Sequence, residues 1–285
     1  MDSAVLQLLT LAVIQALTEF LPVSSSAHLI LPSQLWGWQD QGLAFDVAVH
    51  LGTLLAVIIY YCPDLVKIAT YTIESALTFR NSPVSRVGWY LVLATLPAGV
   101  CGLLLEEVVA GAARSMEVIG WTTIIFGLLL GIASAVNRRV LWRNLRSHEG
   151  LRADSLRELT MTQALAVGCA QALALIPGTS RSGVTLTAGL FMGLRPEAAA
   201  RFSFLLSIPV ILASGSLEGW HLYRSPEAVA KPWWLIAVCM AVSFLLALAV
   251  IHLFLKYIAR SGLGLFVAYR LVLGGVLLYL CYSAA

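Results

Sequence analysis

A chain of 285 residues that is 59% hydrophobic and only 12% charged, with a mean hydropathy of +0.86, lies far from the roughly 25% charged residues of soluble domains. This excludes a water-soluble fold and indicates one polytopic bundle whose solvent is lipid. The net charge of +3 is carried mainly in loops between apolar runs, so nucleic acid is not an expected partner.

In chain order, the first apolar stretch, 3 to 35, is interrupted by Leu21-Pro22-Val23-Ser24-Ser25-Ser26. No basic residue precedes it, the first being Lys67, so a cleaved secretory signal is not expected. Segment 43 to 61 is a span carrying Asp46 and His50. After a loop at 62 to 86, segments 87 to 105 and 118 to 137 contain no Asp, Glu, Lys or Arg and are long enough as helix to cross about 30 Å of hydrocarbon. The apolar stretch 159 to 194 is interrupted by Pro177-Gly178-Thr179-Ser180-Arg181-Ser182-Gly183. Three spans follow: 202 to 217, which is short; 232 to 255, uncharged; and 261 to 282, with Arg270 near its middle. The cysteines, Cys62, Cys101, Cys169, Cys239 and Cys281, have no C-x-x-C spacing and read as small core residues.

Each half of the two broken stretches is too short to span. Non-helical backbone at membrane depth needs protein or a water-filled cavity to satisfy it. The expected fold is therefore an all-α integral membrane protein with six transmembrane helices and two re-entrant helix-loop-helix hairpins. Lys and Arg are retained on the cytoplasmic side. Loops 62 to 86, 138 to 158 and 256 to 260 hold eleven of them, whereas loops 106 to 117 (Arg114) and 218 to 231 (Arg224, Lys231) hold three. Both termini then lie outside the cytoplasm, and the first hairpin enters from the outer face while the second enters from the inner face.

That topology predicts an inverted repeat within a single membrane domain spanning 1–285, with repeat 1 at about 1–140 and repeat 2 at about 155–285. Gln15-Ala16-Leu17 precedes Pro22 and three serines, as Gln171-Ala172-Leu173 precedes Pro177 and Ser180-Arg181-Ser182. Ala44-Phe45-Asp46 and Arg201-Phe202-Ser203 follow at matching distances.

Each broken tip opens a half-helix whose free N–H groups and dipole attract anions. In the second tip, Gly178 and Gly183 permit close backbone approach, Thr179, Ser180 and Ser182 offer hydroxyls, and Arg181 offers a planar fork suited to phosphate oxygens. The first tip supplies Glu19, Ser24, Ser25, Ser26 and His28. A serine needs a base to become a nucleophile, and either Glu19 or His28 is near enough in sequence to serve. Asp46 and His50 share a helix face and are candidates for a cation or proton site. Arg270 either clamps a phosphate or pairs with an acidic residue such as Asp46. Inverted broken repeats also suit a transporter or lipid flippase, which is the alternative reading.

Glu19-Phe20-Leu21-Pro22-Val23-Ser24-Ser25-Ser26-Ala27-His28, together with Pro177-Gly178-Thr179-Ser180-Arg181-Ser182-Gly183-Val184-Thr185, resembles the undecaprenyl-diphosphatase family associated with bacitracin resistance. The resemblance extends to the helix Phe45 to Leu54 and to Ala268-Tyr269-Arg270. It implies a bacterial inner-membrane enzyme, commonly a dimer, that removes the terminal phosphate of undecaprenyl diphosphate with a divalent cation, Mg2+ or Ca2+, in a site facing the periplasm. It places the catalytic glutamate, serine and histidine on Glu19, Ser25 and His28, and the phosphate-binding arginine on Arg181. Ser24, Ser26, Gly178, Thr179, Ser180, Ser182, Gly183, Thr185 and Arg270 are the remaining phosphate-binding candidates. Glu19 and Asp46 are the cation candidates. Many members have a second glutamate one turn before the first, where this chain has Gln15; Asp46 or His50 is the candidate substitute.

Overall fold

The computed structural model describes residues 3–38, 41–104, 115–146, 156–224 and 232–283, and among them every regular element is a helix. Helices α1 (Ser3–Thr18) and α2 (Ser25–Trp36) flank the first break. They are followed by α3 (Leu43–Tyr60), α4 (Cys62–Thr78), α5 (Pro83–Leu104) and α6 (Met116–Arg146). Helix α7 (Met161–Ala172), extended by a 3-10 turn at Leu173–Leu175, and α8 (Arg181–Phe191) flank the second break. Helices α9 (Pro196–Arg224), α10 (Trp233–Ser261) and α11 (Gly264–Ser283) complete the described chain.

Five of these, α5, α6, α9, α10 and α11, are long and apolar enough to cross a membrane, and α3 with α4 makes a sixth if that bent pair is counted as one span. All six expected spans are therefore helical. The span expected at 202 to 217 is a 29-residue helix, because Glu197 and Arg201 extend it beyond its apolar run. The region expected as a loop, 62 to 86, instead holds α4, which departs from α3 at 79°. Pro63 sits in its first turn, where a missing N–H breaks no helical bond. Of the orientation charges, Arg114, Arg152 and Lys231 lie outside the described residues.

The exterior of the bundle is apolar, with Leu103, Leu245, Val272 and Tyr279 exposed, while Gln15, Thr53, Thr179, Ser207, Ser243 and Arg270 are buried. Lipid accommodates such a surface, so helix association rests on close packing and interhelical hydrogen bonds. Small residues provide that closeness: a Cβ at Gly274 would lie 2.9 Å from Gly120 O on α6, and one at Gly168 would lie 2.5 Å from Ala94 O on α5. Lipid also explains a departure among the cysteines. Only Cys239 is buried, whereas Cys62 and Cys169 are exposed, so most are not core residues.

The arms beside the breaks are short, at 16 and 12 residues for α1 and α2 and 12 and 11 for α7 and α8. At about 1.5 Å per residue none reaches across a bilayer. Helix α1 packs on α10 and α7 packs on α5, so the first arm beside each break rests on a long helix from the other half of the chain. The two breaks thereby share one interior.

Candidate active site

The two breaks have the same local construction. Ser24 (φ 73°, ψ 98°) caps α2, its Oγ accepting from Ala27 N–H, and Ser180 (φ 69°, ψ 113°) caps α8, its Oγ accepting from Gly183 N–H. A left-handed serine is uncommon, and such conformations collect where the surrounding structure enforces them. The hydroxyl pairs Ser24–Ser26 and Ser180–Ser182 are each 3.2 Å apart. Capping engages the third amide of each helix, and the two amides before it have, by their place in the first turn, no intrahelical carbonyl to bond.

The tips are fastened to each other. Gly178 N–H donates to Ser26 Oγ at 3.0 Å, and Ser182 Oγ–H donates to Leu21 O at 2.8 Å. From α6, Thr122 and Thr123 donate to Pro177 O at 2.6 Å and Gly178 O at 3.3 Å. Gly178 (φ +88°) is seated so tightly on α6 that a Cβ there would lie 2.6 Å from Ile119 O. Its freedom from a side chain thus serves contact with α6.

Arg270 completes the fastening. It is fully buried and donates to four carbonyls: Nε to Thr123 O at 3.1 Å, Nη1 to Thr179 O at 3.0 Å and Pro22 O at 3.5 Å, and Nη2 to Gly178 O at 3.0 Å. Four of its five N–H groups are thereby spent on backbone from both tips and α6. Of the partners expected for it within the chain, Asp46 is not among those it bonds.

Glu19 lies at the centre of a polar network between the tips. Its Oε1 receives Arg181 Nη2 at 3.3 Å, with both side chains nearly buried at 8% and 12% exposure. Its Oε2 receives Gln15 Nε2 at 2.8 Å and Ser25 Oγ–H at a long 3.5 Å. Catalytic hydrogen bonds are often long in the ligand-free state and tighten on the substrate. Arg181 also donates from Nη1 to Ser203 O at 3.3 Å, while its buried Nε has no partner in the described structure. An orphaned donor on a buried fork is the position an anion's oxygen would satisfy.

His28 makes its hydrogen bonds outside this group. Its Nδ1 lies 2.7 Å from Ser24 O, which fixes that nitrogen as the donor. Its Nε2 therefore accepts from Tyr269 Oη, 2.6 Å away, and the two rings lie parallel within 3°. His50 similarly places Nδ1 on Asp46 O at 2.8 Å and turns Nε2 to Gln15 at 3.1 Å.

The structure thus gathers Gln15, Glu19, Ser25, Arg181 and His50 into one network, with Ser24, Ser26, Gly178, Ser180, Ser182 and Gly183 forming the tips. Gly183 adjoins Arg270, whose Nη1 would lie 2.8 Å from a Cβ there. Thr179 Oγ1 is buried without a hydrogen-bond partner. Thr185 lies one turn inside α8 and bonds Arg181 O at 2.8 Å and Ser203 Oγ at 2.6 Å. Asp46 joins the network through its backbone carbonyl. Sequence reasoning missed Thr122, Thr123, Ser203 and the hydroxyl of Tyr269. The adjacent threonines in an otherwise apolar span were the available signal.

The family model described as "Bacitracin resistance protein BacA" matches residues 8–276. The chain is 49% identical over 279 residues to the undecaprenyl-diphosphatase of Hahella chejuensis, covering 98% of this chain and 99% of that protein. It is 51% identical over 273 residues to the undecaprenyl-diphosphatase of Chromohalobacter salexigens, covering 96% and 97%. The corresponding protein of Alteromonas mediterranea is 47% identical over 277 residues, covering 97% and 98%. With a match that runs through both tips and nearly every helix, the chain belongs to the bacitracin resistance protein BacA family.

Proposed function

We propose that this protein is an undecaprenyl-diphosphatase: it hydrolyses undecaprenyl diphosphate to undecaprenyl phosphate and inorganic phosphate and so recycles the lipid carrier of cell-wall synthesis. The observation that carries this reading is the convergence of Glu19, Ser25 and Arg181 between two half-helix N-termini, in a chain matching proteins of that name over almost its full length. In this reading both hairpins are re-entrant, and the protein lies in the bacterial inner membrane with the pocket open to the periplasm. The loop charges support termini outside the cytoplasm, while the periplasmic opening is what the family resemblance implies.

The diphosphate binds across the amides at the starts of α2 and α8, with Arg181 on the terminal phosphate. Ser25 Oγ attacks the terminal phosphorus while the bond from that phosphorus to the bridging oxygen breaks. Glu19 takes the serine proton and passes it to the departing lipid phosphate. Water then attacks the phosphoserine, one of its protons returning to Ser25 through Glu19 and the other leaving on inorganic phosphate. Glu19 is favoured over His28 as the base because the serine hydroxyl contacts its Oε2, whereas both His28 nitrogens are engaged elsewhere. Positioning and charge stabilisation dominate such transfers.

A divalent cation, when bound, neutralises the phosphate oxygens. Two groups here would hold it together with those oxygens: the carboxylate of Glu19 and Gln15 Oε1, which is buried without a hydrogen-bond partner. Chelator is expected to abolish phosphate release by the purified protein, and excess Mg2+ or Ca2+ to restore it. Release unaffected by chelator removes the cation from the mechanism.

The proposal is tested in detergent, where no second compartment exists and transport alone releases no phosphate from a polyprenyl diphosphate. Ser25→Ala is expected to lower release by at least about 10³-fold, the scale seen when a nucleophile is removed from a catalytic group. Near-normal release by Ser25→Ala with none by His28→Ala would make the histidine the nucleophile.

A further inference from the structure

Gln15 is fully buried beside Glu19, and its orientation is determined by its neighbours. A carboxylate only accepts hydrogen bonds, so the amide nitrogen faces Glu19 Oε2 at 2.8 Å. The second proton of that nitrogen meets His50 Nε2 at 3.1 Å. His50 can accept it because its Nδ1 proton is committed to Asp46 O at 2.8 Å. His50 is thus a positioning residue for Gln15, and the pair delivers a neutral donor to Glu19.

The consequence is electrostatic. Glu19 carries one negative charge, already offset by Arg181 at 3.3 Å. Its other hydrogen-bonding neighbours, the Gln15 amide and the Ser25 hydroxyl, are uncharged. Among the described residues, no group of three or more His, Cys, Asp or Glu side chains is assembled to hold a metal ion. Mg2+ keeps near-octahedral coordination, dehydrates reluctantly, and is usually held by one or two carboxylates together with substrate phosphates. One compensated carboxylate and one amide oxygen fall short of a resident site. Resting on the phosphatase reading, we infer that in this protein the Gln15–His50 pair keeps the pocket without a cation of its own. The cation enters only together with the diphosphate, whose oxygens supply the missing charge and ligands.

The test measures Mn2+ binding by electron paramagnetic resonance on the full chain in detergent, independently of turnover. The unliganded parent is expected to bind no Mn2+ at about 1 mM, and to take up one per chain when farnesyl methylenediphosphonate, which cannot be hydrolysed, is added. Gln15→Glu adds the absent carboxylate and is expected to bind Mn2+ without the diphosphonate at least about tenfold more tightly than the parent. Arg181→Gln leaves Glu19 uncompensated and is expected to gain binding in the same direction, so the charge argument remains testable even if Gln15→Glu does not fold. Stoichiometric binding by the unliganded parent, or neither variant binding more tightly, overturns the inference. A parent that binds no diphosphonate counts instead against the phosphatase reading, and the two variants then decide the cation question alone.

Discussion

Arg181→Ala is expected to lower kcat/KM for undecaprenyl diphosphate by about 10³-fold, and Arg181→Lys to recover only part of that loss. Removing a single preorganised donor from a developing charge costs about 10²–10³, and arginines at phosphoryl-transfer sites contribute about 10³–10⁵. Lysine restores the charge without the planar fork. The arginine has two separable tasks: it holds Glu19 Oε1 at 3.3 Å, and it presents a buried Nε with no partner. A double-mutant cycle with Glu19→Gln distinguishes them. If holding the glutamate were its whole contribution, the double variant would be no worse than Glu19→Gln. A direct bond to the phosphate adds a further loss, together with weaker binding of the diphosphonate. Activity within tenfold of the parent in Arg181→Ala removes the residue from the phosphate site.

What could be read from the sequence was local. Pro22 with three serines, and Pro177-Gly178 with Ser180-Arg181-Ser182, mark two breaks in apolar stretches, and the breaks occur there with near-identical left-handed serines. Hydropathy located the spans but not α4, whose apolar residues are interleaved with Asp64, Lys67 and Glu74 and so make no continuous run. What could not be read was pairing across distance. Ser182 looks like a phosphate donor in the linear chain, yet in the fold its hydroxyl donates to Leu21 O of the opposite tip, and Ser26 Oγ accepts from Gly178 N–H there. His28 finds Tyr269 across 241 positions and Gln15 finds His50 across 35. A motif reports which chemistry is available near a turn. The packing of other helices determines which donors remain for a substrate.

Arg270 illustrates this most sharply, and its substitution carries the largest expected effect on stability. Arg270→Met keeps an apolar stem of similar length but removes four N–H donors from the carbonyls of Pro22, Thr123, Thr179 and Gly178. Gly178 O retains the Thr123 hydroxyl at 3.3 Å, but the other tip carbonyls lose the guanidinium that drew them together. Each buried polar group left unsatisfied costs about 1–3 kcal/mol. Losing several lowers the apparent Tm by about 10 °C, at roughly 2–4 °C per kcal/mol for a chain of this size. Arg270→Lys is expected to fall nearly as far, because one ammonium cannot reach carbonyls on three segments at once. Activity falls with it, since the tips that carry Ser25 and Arg181 separate. Arg181→Ala, by contrast, should lose activity with a much smaller change in Tm. Thermal unfolding and phosphate release measured side by side therefore assign the two arginines. If Arg270→Met unfolds at the parent temperature and loses only its affinity for the diphosphonate, Arg270 is a phosphate ligand and the joining of the tips rests on Ser26 and Ser182 alone.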